Sequence, residues 1–313
     1  MRENIIKPLS GTFYKETKNK LLNLIEEKNL DGFLVTNPAN IFYFTGFFYV
    51  TNERPSGFYL SKNNISKLFI PLLEKENAEN LQVNEIHIYE EFPGETNPYT
   101  FMANTISEKK IGTDIKNTDI LNLIKNNFEE LNHKTGIEMF RYVKLDEEIN
   151  LIIEATKYAD LALEYLKECA KEMINKNVSE RELVQICTEY AKNKMLNNIS
   201  KEFDETPCNV VATIHSGPRG AYPHGKSLSR VPNKNETLIC GVGACLGGMY
   251  AESGVTFILG EPNEDQKKII KVMKEVNDEV VNNLKEGFIC EDINKVALNI
   301  YNNYGLSKFV RHR

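Results

Sequence analysis

A histidine in a glycine-rich loop and a glutamate in a strand pair are the residues whose types and spacing suggest chemistry. The loop over residues 216–226 reads SGPRGAYPHGK and places His224 directly after Pro223. The segment over residues 237–259, TLICGVGACLGGMYAESGVTFIL, has two β-rich runs separated by Gly247-Gly248, a strong signal for a β-hairpin. An imidazole can transfer a proton and a carboxylate can bind a divalent cation, so His224 and Glu252 are the candidate residues of a site.

Counting outward from the two-residue turn predicts the register of the hairpin. Gly243 is expected opposite Glu252, and Gly241 opposite Gly254. Gly241 and Glu252 then share one face as diagonal neighbours, with backbones roughly 7–8 Å apart. Two acidic side chains at these positions could hold a pair of divalent ions, which sit about 3.5–4 Å apart in two-metal sites. Glu252 offers a carboxylate, whereas Gly241 has no side chain with which to bind a metal.

These motifs resemble the core of the superfamily of methionine aminopeptidase, Xaa-Pro aminopeptidase and creatinase, the pita-bread hydrolases. In that superfamily a loop ending in Pro-His-Gly precedes a hairpin with two metal-binding aspartates. The first begins an Asp-x-Gly-Ala motif, and the second follows eleven positions later in a Gly-Tyr-x-Ser-Asp-type motif. The segments 241–244 (GVGA) and 248–252 (GMYAE) occupy those places at the same interval. The resemblance therefore implies Glu252 as a metal ligand, with Gly241 replacing the other aspartate.

The resemblance extends over nearly the whole chain and selects one branch of the superfamily. LDGFLVTNPANIFYFTGF and the later ERPSGFYL are similar to the small N-terminal domain of the creatinase and Xaa-Pro peptidase branch. At the other end, a family motif His-Arg-Thr-Gly-His-Gly is entered in register and stops at His312-Arg313. We therefore expect the ending to be a fragment or assembly boundary, with two glutamate ligands beyond it. Little or no activity is expected from this chain alone.

The resemblance implies an Xaa-Pro aminopeptidase-like hydrolase that cleaves the C–N bond before proline in small peptides. A metal or a base would activate water, and His224 would assist by hydrogen bonding or proton transfer. His215, in ATIHSGPRG, is a second candidate for a catalytic role. The family uses a divalent metal such as Mn²⁺, Co²⁺ or Zn²⁺, but we expect this chain to bind none because of Gly241. The resemblance implies a homodimer for the family, which we do not expect for a chain with this ending.

Two alternatives stay open. Gly241 favours a metal-independent amidohydrolase of the creatinase or ectoine hydrolase kind, which acts on a small amide and uses the histidine equivalent to His224 as proton carrier. The chain could also be a non-catalytic remnant that binds a partner. His224 as an ordinary loop residue and Glu252 as a solvated strand carboxylate are the corresponding structural interpretations.

Hydrophobic periodicity predicts an α/β N-terminal domain over residues 1–142. The resemblance implies that residues 143–313 form an incomplete α+β pita-bread domain. In the first domain we expect helices over residues 15–28 and 73–80 and strands at 33–35, 57–60, 68–70 and 85–89. In the second, an apolar stripe over residues 149–166 predicts a long helix. Ser179 and Glu182 form a capping box for the next helix. A third buried stripe is expected over residues 269–284, ending near Gly287.

The composition indicates a globular protein without a nucleic-acid or membrane partner. The chain has 313 residues, of which 41% are hydrophobic. Its 38 basic and 44 acidic residues give a net charge of −6 and no basic stripe that would suit nucleic acid. There is no signal peptide and no run of about eighteen apolar residues, so we expect a cytoplasmic protein. Six cysteines lie in the second half without a Cys-x-x-Cys pair, which favours reduced thiols over zinc ligands.

Overall fold

The structure, a computed structural model, describes residues 6–49, 53–90, 97–222 and 224–310. The chain divides into two compact units. The first comprises Met1–Ala155, Leu196–Asn209 and Cys245–Ala251. The second comprises Thr156–Met195, Val210–Ala244 and Glu252–Arg313. The boundary expected near residue 142 stays a prediction.

A six-stranded mixed sheet forms the centre of the first unit. Its strands are β1 (Gly32–Val35), β2 (Gly57–Ser61), β3 (Ser66–Pro71), β4 (Glu85–Tyr89), β5 (Lys110–Thr113) and β6 (Glu130–Asn132). They lie in the order β4-β3-β2-β1-β5-β6, in which β1 with β2 and β2 with β3 are antiparallel and the other pairs parallel. Every residue of β1 and β2 is buried. The sequences of such central strands are continuous apolar runs, because both faces of the sheet are covered.

The α-helices that accompany this sheet in the described residues each have a capping side chain at their start. They are α1 (Gly11–Glu27), α2 (Pro38–Thr45), α3 (Pro98–Thr105) and α4 (Thr118–Ile124). The first is capped by Ser10, and the others by the asparagines that precede them, which accept first-turn N–H groups. The helix predicted over residues 73–80 is wrong, because two short 3₁₀ turns, Leu72–Glu74 and Glu76–Ala78, occupy this segment. Leu73 is 66% exposed there, so no apolar face packs to stabilise a longer helix.

Further α-helices and a second sheet follow along the described chain. The helices are α5 (Asp146–Asn175), α6 (Glu180–Asn198), α7 (Glu264–Asn283) and α8 (Cys290–Asn303). The strands β7 (Asn209–Ser216), β8 (Thr237–Leu246) and β9 (Met249–Ile258) form a sheet in the order β7-β8-β9. The predicted hairpin is confirmed, since Gly247 and Gly248 have φ of 58° and 80°. A type I′ turn requires positive φ at both central positions.

The helices predicted for the second domain are present, but part of their apolar surface is exposed. The capping box of α6 is confirmed, because Glu182 Oε2 accepts from Ser179 N at 2.8 Å and Glu182 N donates to Ser179 Oγ at 3.4 Å. The expectation of a fully buried stripe on α7 is wrong, because Val276 is buried while Ile269 and Met273 are 48% and 50% exposed. The helix packs against α8, which covers only one side of it. In the described part of the chain no helix is long and apolar enough to cross a membrane.

Candidate functional site

The loop that carries His224 follows β7 and begins with a 3₁₀ turn over Gly217–Ala221. His224 is exposed and lines an open depression of about 470 Å³ together with Arg219, Tyr222 and Leu228. Pro223 lies outside the described residues. An exposed imidazole in a concave surface is accessible to a small molecule, which is the first requirement for a proton-transfer group.

A buried carboxylate joins the two arms of this loop. Glu180, the first residue of α6, is completely buried. Its Oε1 accepts hydrogen bonds from Ser216 N at 2.9 Å and Ser216 Oγ at 2.7 Å. Its Oε2 accepts from Arg219 Nε at 3.2 Å and from Leu228 N at 3.1 Å. Residues before and after His224 are therefore held by the same side chain.

The pKa of Glu180 shows how this burial is compensated. Burial by itself raises the pKa, because it disfavours the charged carboxylate. The hydrogen bonds from Ser216 and Leu228 and the charge of Arg219 lower it, and the net pKa is below the ordinary value. Glu180 is thus an ionised, hydrogen-bonded anchor, and the pairing with Arg219 satisfies the requirement that a buried charge be compensated.

A second pair of charges links the loop to the start of β8. Arg230 donates from Nη1 to Ser216 Oγ and from Nη2 to Glu236 Oε1. Glu236 also accepts from Asn233 N at 2.9 Å. Gly217 has φ of 53°, and a Cβ there would lie 2.6 Å from the Glu236 carboxylate carbon. The close approach and the positive φ both require glycine at this position.

His215 lies under the loop and is not exposed beside His224. Its ring is buried, with 5% exposure, and its Nε2 is 2.6 Å from the carbonyl oxygen of Gly225. A carbonyl can only accept, so Nε2 is the donor in this contact. The neighbouring strand end is tied to the loop by Ser227 Oγ, which accepts from Ile214 N at 2.8 Å and donates to Ile214 O at 2.9 Å. The geometry suits His215 to positioning the backbone beside His224.

The hairpin face that was expected to hold metal is open. Glu252 is exposed on β9. A Cβ built on Gly241 would have Thr213 Oγ1, 3.8 Å away, as its nearest neighbour, and one on Gly243 would meet Val211 Cγ2 at 3.4 Å. Both are ordinary contact distances, so crowding does not require glycine at either position. The face has room for a carboxylate at Gly241 and lacks the side chain.

The described residues do not fit a bound pair of divalent metals. Within residues 6–49, 53–90, 97–222 and 224–310, no group of three or more His, Cys, Asp or Glu side chains could hold a metal ion. His312 lies outside these ranges. Glu252 alone provides too few ligands, since such ions are held by several oxygen or nitrogen ligands. The expectation that this chain binds no metal stays a prediction to be tested.

The sequence pattern located His224, His215 and Glu252 but not the residues that hold the loop. Glu180 lies in the segment VSERELV. Acidic residues in the first turn of a helix are expected from the helix dipole and the capping box, so Glu180 did not stand out as a functional residue. Arg219 and Arg230 stand in a polar loop with no periodicity. The burial of Glu180 appears only when α6 is placed against β7, so no local signal could have identified it.

Comparison with known proteins shows relatives along nearly the whole chain. Residues 150–313 match metallopeptidase family M24, and residues 18–143 match the creatinase/prolidase N-terminal domain. An Xaa-Pro dipeptidase of Pyrococcus furiosus is 26% identical over 307 residues, covering 95% of this chain and 80% of that protein. An uncharacterized peptidase of Staphylococcus aureus is 26% identical over 302 residues, covering 94% and 81%. A crystal structure of prolidase from Thermococcus sibiricus has the same fold, with a TM-score of 0.79 at 24% identity over 96% of this chain and 80% of that one.

Proposed function

Because the chain belongs to metallopeptidase family M24, we propose that it hydrolyses the C–N bond before proline in small peptides. The family is one of peptidases, and the predicted fold, a creatinase-type N-terminal α/β domain followed by a pita-bread domain, is confirmed. The match to an Xaa-Pro dipeptidase over nearly the whole chain is the observation that carries the choice of substrate.

The proposed reaction assigns its proton transfer to His224. When the bond before proline breaks, the proline nitrogen leaves as a secondary amine and needs a proton. His224 is exposed in its depression and is the group that would supply the proton or hydrogen-bond the developing tetrahedral centre. Glu180 and His215 would act as positioning residues, because they hold the loop on both sides of His224. No step is routed through a metal, since Gly241 leaves the expected site without its carboxylate.

The proposal is tested by incubating the full 313-residue chain with Ala-Pro and Ala-Ala and measuring the amino acids released. We expect slow hydrolysis that favours Ala-Pro and does not change when EDTA or Mn²⁺ is added. Equal rates on the two peptides would overturn the proline assignment. Turnover that disappears with EDTA and returns with Mn²⁺ would overturn the metal-independent site.

Gly241 favours a second candidate, a metal-independent amidohydrolase that acts on a small compound of the creatine or ectoine kind. The same loop would serve, with His224 as proton carrier. Creatine and an N-acetylated diamino acid should then be consumed in preference to Ala-Pro. A folded chain that turns over none of these compounds would contradict both enzyme proposals and favour a non-catalytic partner-binding role. A homodimer is usual for the family but is not expected for this chain, and sedimentation analysis would test this.

A further inference from the structure

A second cavity lies within the first compact unit, and none of its lining residues belongs to the loop that carries His224. The helix α2, the start of α5 and the turn of the hairpin at Gly248 enclose about 450 Å³. Small-molecule sites have volumes of roughly 300–1,000 Å³ and combine apolar walls with a few polar groups. The cavity has the size of a site for one small ligand.

The walls of this cavity are mainly aromatic. Phe42 and Phe48 meet edge to face with ring centroids 6.2 Å apart, and Tyr49, Met249 and Tyr250 complete the lining on this side. Phe48 is 44% exposed and Tyr250 is 71% exposed. Large rings that contact each other and still present free faces suit a flat or branched apolar ligand, and a methionine adapts to its shape.

The hairpin turn fixes one wall in place. Gly248 has φ of 80°, and a Cβ there would lie 2.3 Å from Cε1 of Phe42. Gly248 N also donates to Pro207 O at 3.1 Å. Only glycine permits this close approach of the turn to the ring, so the cavity is formed by packing that exists before any ligand arrives.

The charged side chains that line the cavity have a net positive charge. Arg141 and Lys144 line the cavity together with one carboxylate, Glu148, which is buried and accepts from Leu145 N at 2.9 Å. Arg141 Nε is buried and has no hydrogen-bond partner among the described residues, although buried donors are nearly always paired. An unpaired buried donor indicates that an acceptor is missing. Because two cationic side chains line the cavity with only one carboxylate, we expect the missing acceptor to be an anion.

We propose that this cavity binds a small apolar carboxylate, with the carboxylate on Arg141 and the apolar body against Phe42 and Phe48. A guanidinium matches a carboxylate with two parallel hydrogen bonds, which gives both orientation and strength. Two sources share this chemistry, a free aromatic acid and the C-terminus of a short apolar peptide. The site shares no residue with the loop over residues 216–226 that carries His224.

Fluorine NMR with the full chain tests the proposal. The probes are 3-(4-fluorophenyl)propionate, the dipeptide alanyl-4-fluorophenylalanine, and the amide of each. We expect both acids to bind and their amides to bind at least about tenfold more weakly, because hydrogen bonds between charged groups are the strong ones. Tighter binding of the dipeptide identifies a peptide as the source, and tighter binding of the propionate identifies a free acid.

Two variants with matched controls locate the binding. Arg141→Gln should weaken binding of the acids at least about tenfold, while Lys75→Gln, an exposed charge of the same unit, should not. Phe48→Ala should weaken both acids and amides, and Leu73→Ala, an exposed apolar residue outside the cavity, should leave them unchanged. Circular dichroism melting confirms that each variant is folded.

Three results would overturn the proposal. Equal affinity for acid and amide would remove the role of the carboxylate. Full affinity in Arg141→Gln or in Phe48→Ala would place the probe elsewhere on the protein. The wild-type chain failing to bind any probe at millimolar concentration would remove the site altogether.

Discussion

The two halves of the candidate site differ in how they are built. The loop over residues 216–226 is held by a buried carboxylate, Glu180, which accepts four hydrogen bonds, one of them from Arg219. The hairpin face has space at Gly241 and an exposed Glu252, and nothing fixed between them among the described residues. The described residues thus include the hydrogen-bond network that positions the loop of His224, but they lack the side chains that would hold a metal ion on the hairpin face. Any chemistry of this chain should therefore depend on the loop much more than on the face.

The largest expected effect is on turnover when the loop loses its imidazole. If His224 transfers a proton, His224→Ala should lower kcat on a substrate of the wild-type chain by roughly 10²–10⁴-fold, with little change in KM. His133→Ala, which removes an exposed histidine of another loop, is the matched control. Steady-state kinetics on Ala-Pro and creatine give the answer. An unchanged kcat would show that His224 is an ordinary loop residue. Turnover would then depend on the loop no more than on the hairpin face.

The next effect in size is on the stability of the loop's anchor. Glu180→Ala leaves the guanidinium of Arg219 and the hydroxyl of Ser216 without their acceptor, and removing one partner of a buried pair costs about 3–5 kcal/mol. Urea unfolding should show this loss. Glu182→Ala, two residues further on and exposed, should cost much less, because it removes only the capping-box hydrogen bond to Ser179.

Limited proteolysis separates loss of the anchor from general instability. Trypsin should cut after Lys226 faster in Glu180→Ala than in wild type under conditions where both are folded, because the loop opens locally. If Glu180→Ala and Glu182→Ala lose the same stability and are cut at the same rate, the loop is not held by Glu180.

The same two regions show why part of the site could be predicted from sequence and part could not. The hairpin is a local pattern of β-rich runs around Gly247-Gly248, so the sequence predicts the position of its turn to the residue. The bonds of Glu180 reach residues 36, 39 and 48 positions away, and no local spacing encodes them. The exposed part of α7 was missed for a related reason. Apolar periodicity identifies a helix face, but it does not identify what packs against that face.

Acid should weaken the hydrogen-bond network that holds the loop. The pKa values of Glu180 and Glu236 lie below their ordinary values, because hydrogen bonds and arginine charges outweigh the opposing effect of burial. A carboxylate whose pKa is lowered by folding contributes stability above its unfolded pKa, near 4.5, and loses it as pH falls through the folded pKa. Each such group contributes up to about 1.4 kcal/mol per pH unit in that range.

Urea unfolding at a series of pH values from neutral to about 3.5 measures this dependence. We expect the free energy of unfolding to fall below about pH 4.5, and to fall less steeply in Glu180→Gln, which cannot titrate there. A slope in Glu180→Gln equal to the wild-type slope would show that Glu180 makes no pH-dependent contribution to the loop network.

The smallest expected effect comes from giving the hairpin face the side chain it lacks. Gly241→Asp is sterically acceptable, because the nearest atom to its Cβ would be Thr213 Oγ1 at 3.8 Å. The introduced aspartate and Glu252 would be diagonal neighbours with backbones roughly 7–8 Å apart, so their carboxylates could share one ion. The wild-type chain should bind Mn²⁺ no better than an ordinary acidic surface, and the variant about tenfold more tightly, equivalent to about 1.4 kcal/mol. Water-proton relaxation measures free and bound Mn²⁺.

The control for this gain is Thr256→Asp, which adds the same charge on the same strand as Glu252 but roughly 13 Å further along. It should not improve binding, since two carboxylates at that separation cannot contact one ion. The double variant Gly241→Asp with Glu252→Ala should return to the wild-type affinity. If Thr256→Asp gains as much as Gly241→Asp, the improvement reflects surface charge alone. If the double variant keeps the higher Mn²⁺ affinity, Glu252 is not a ligand. The hairpin face would then lack more of a metal site than the carboxylate at Gly241.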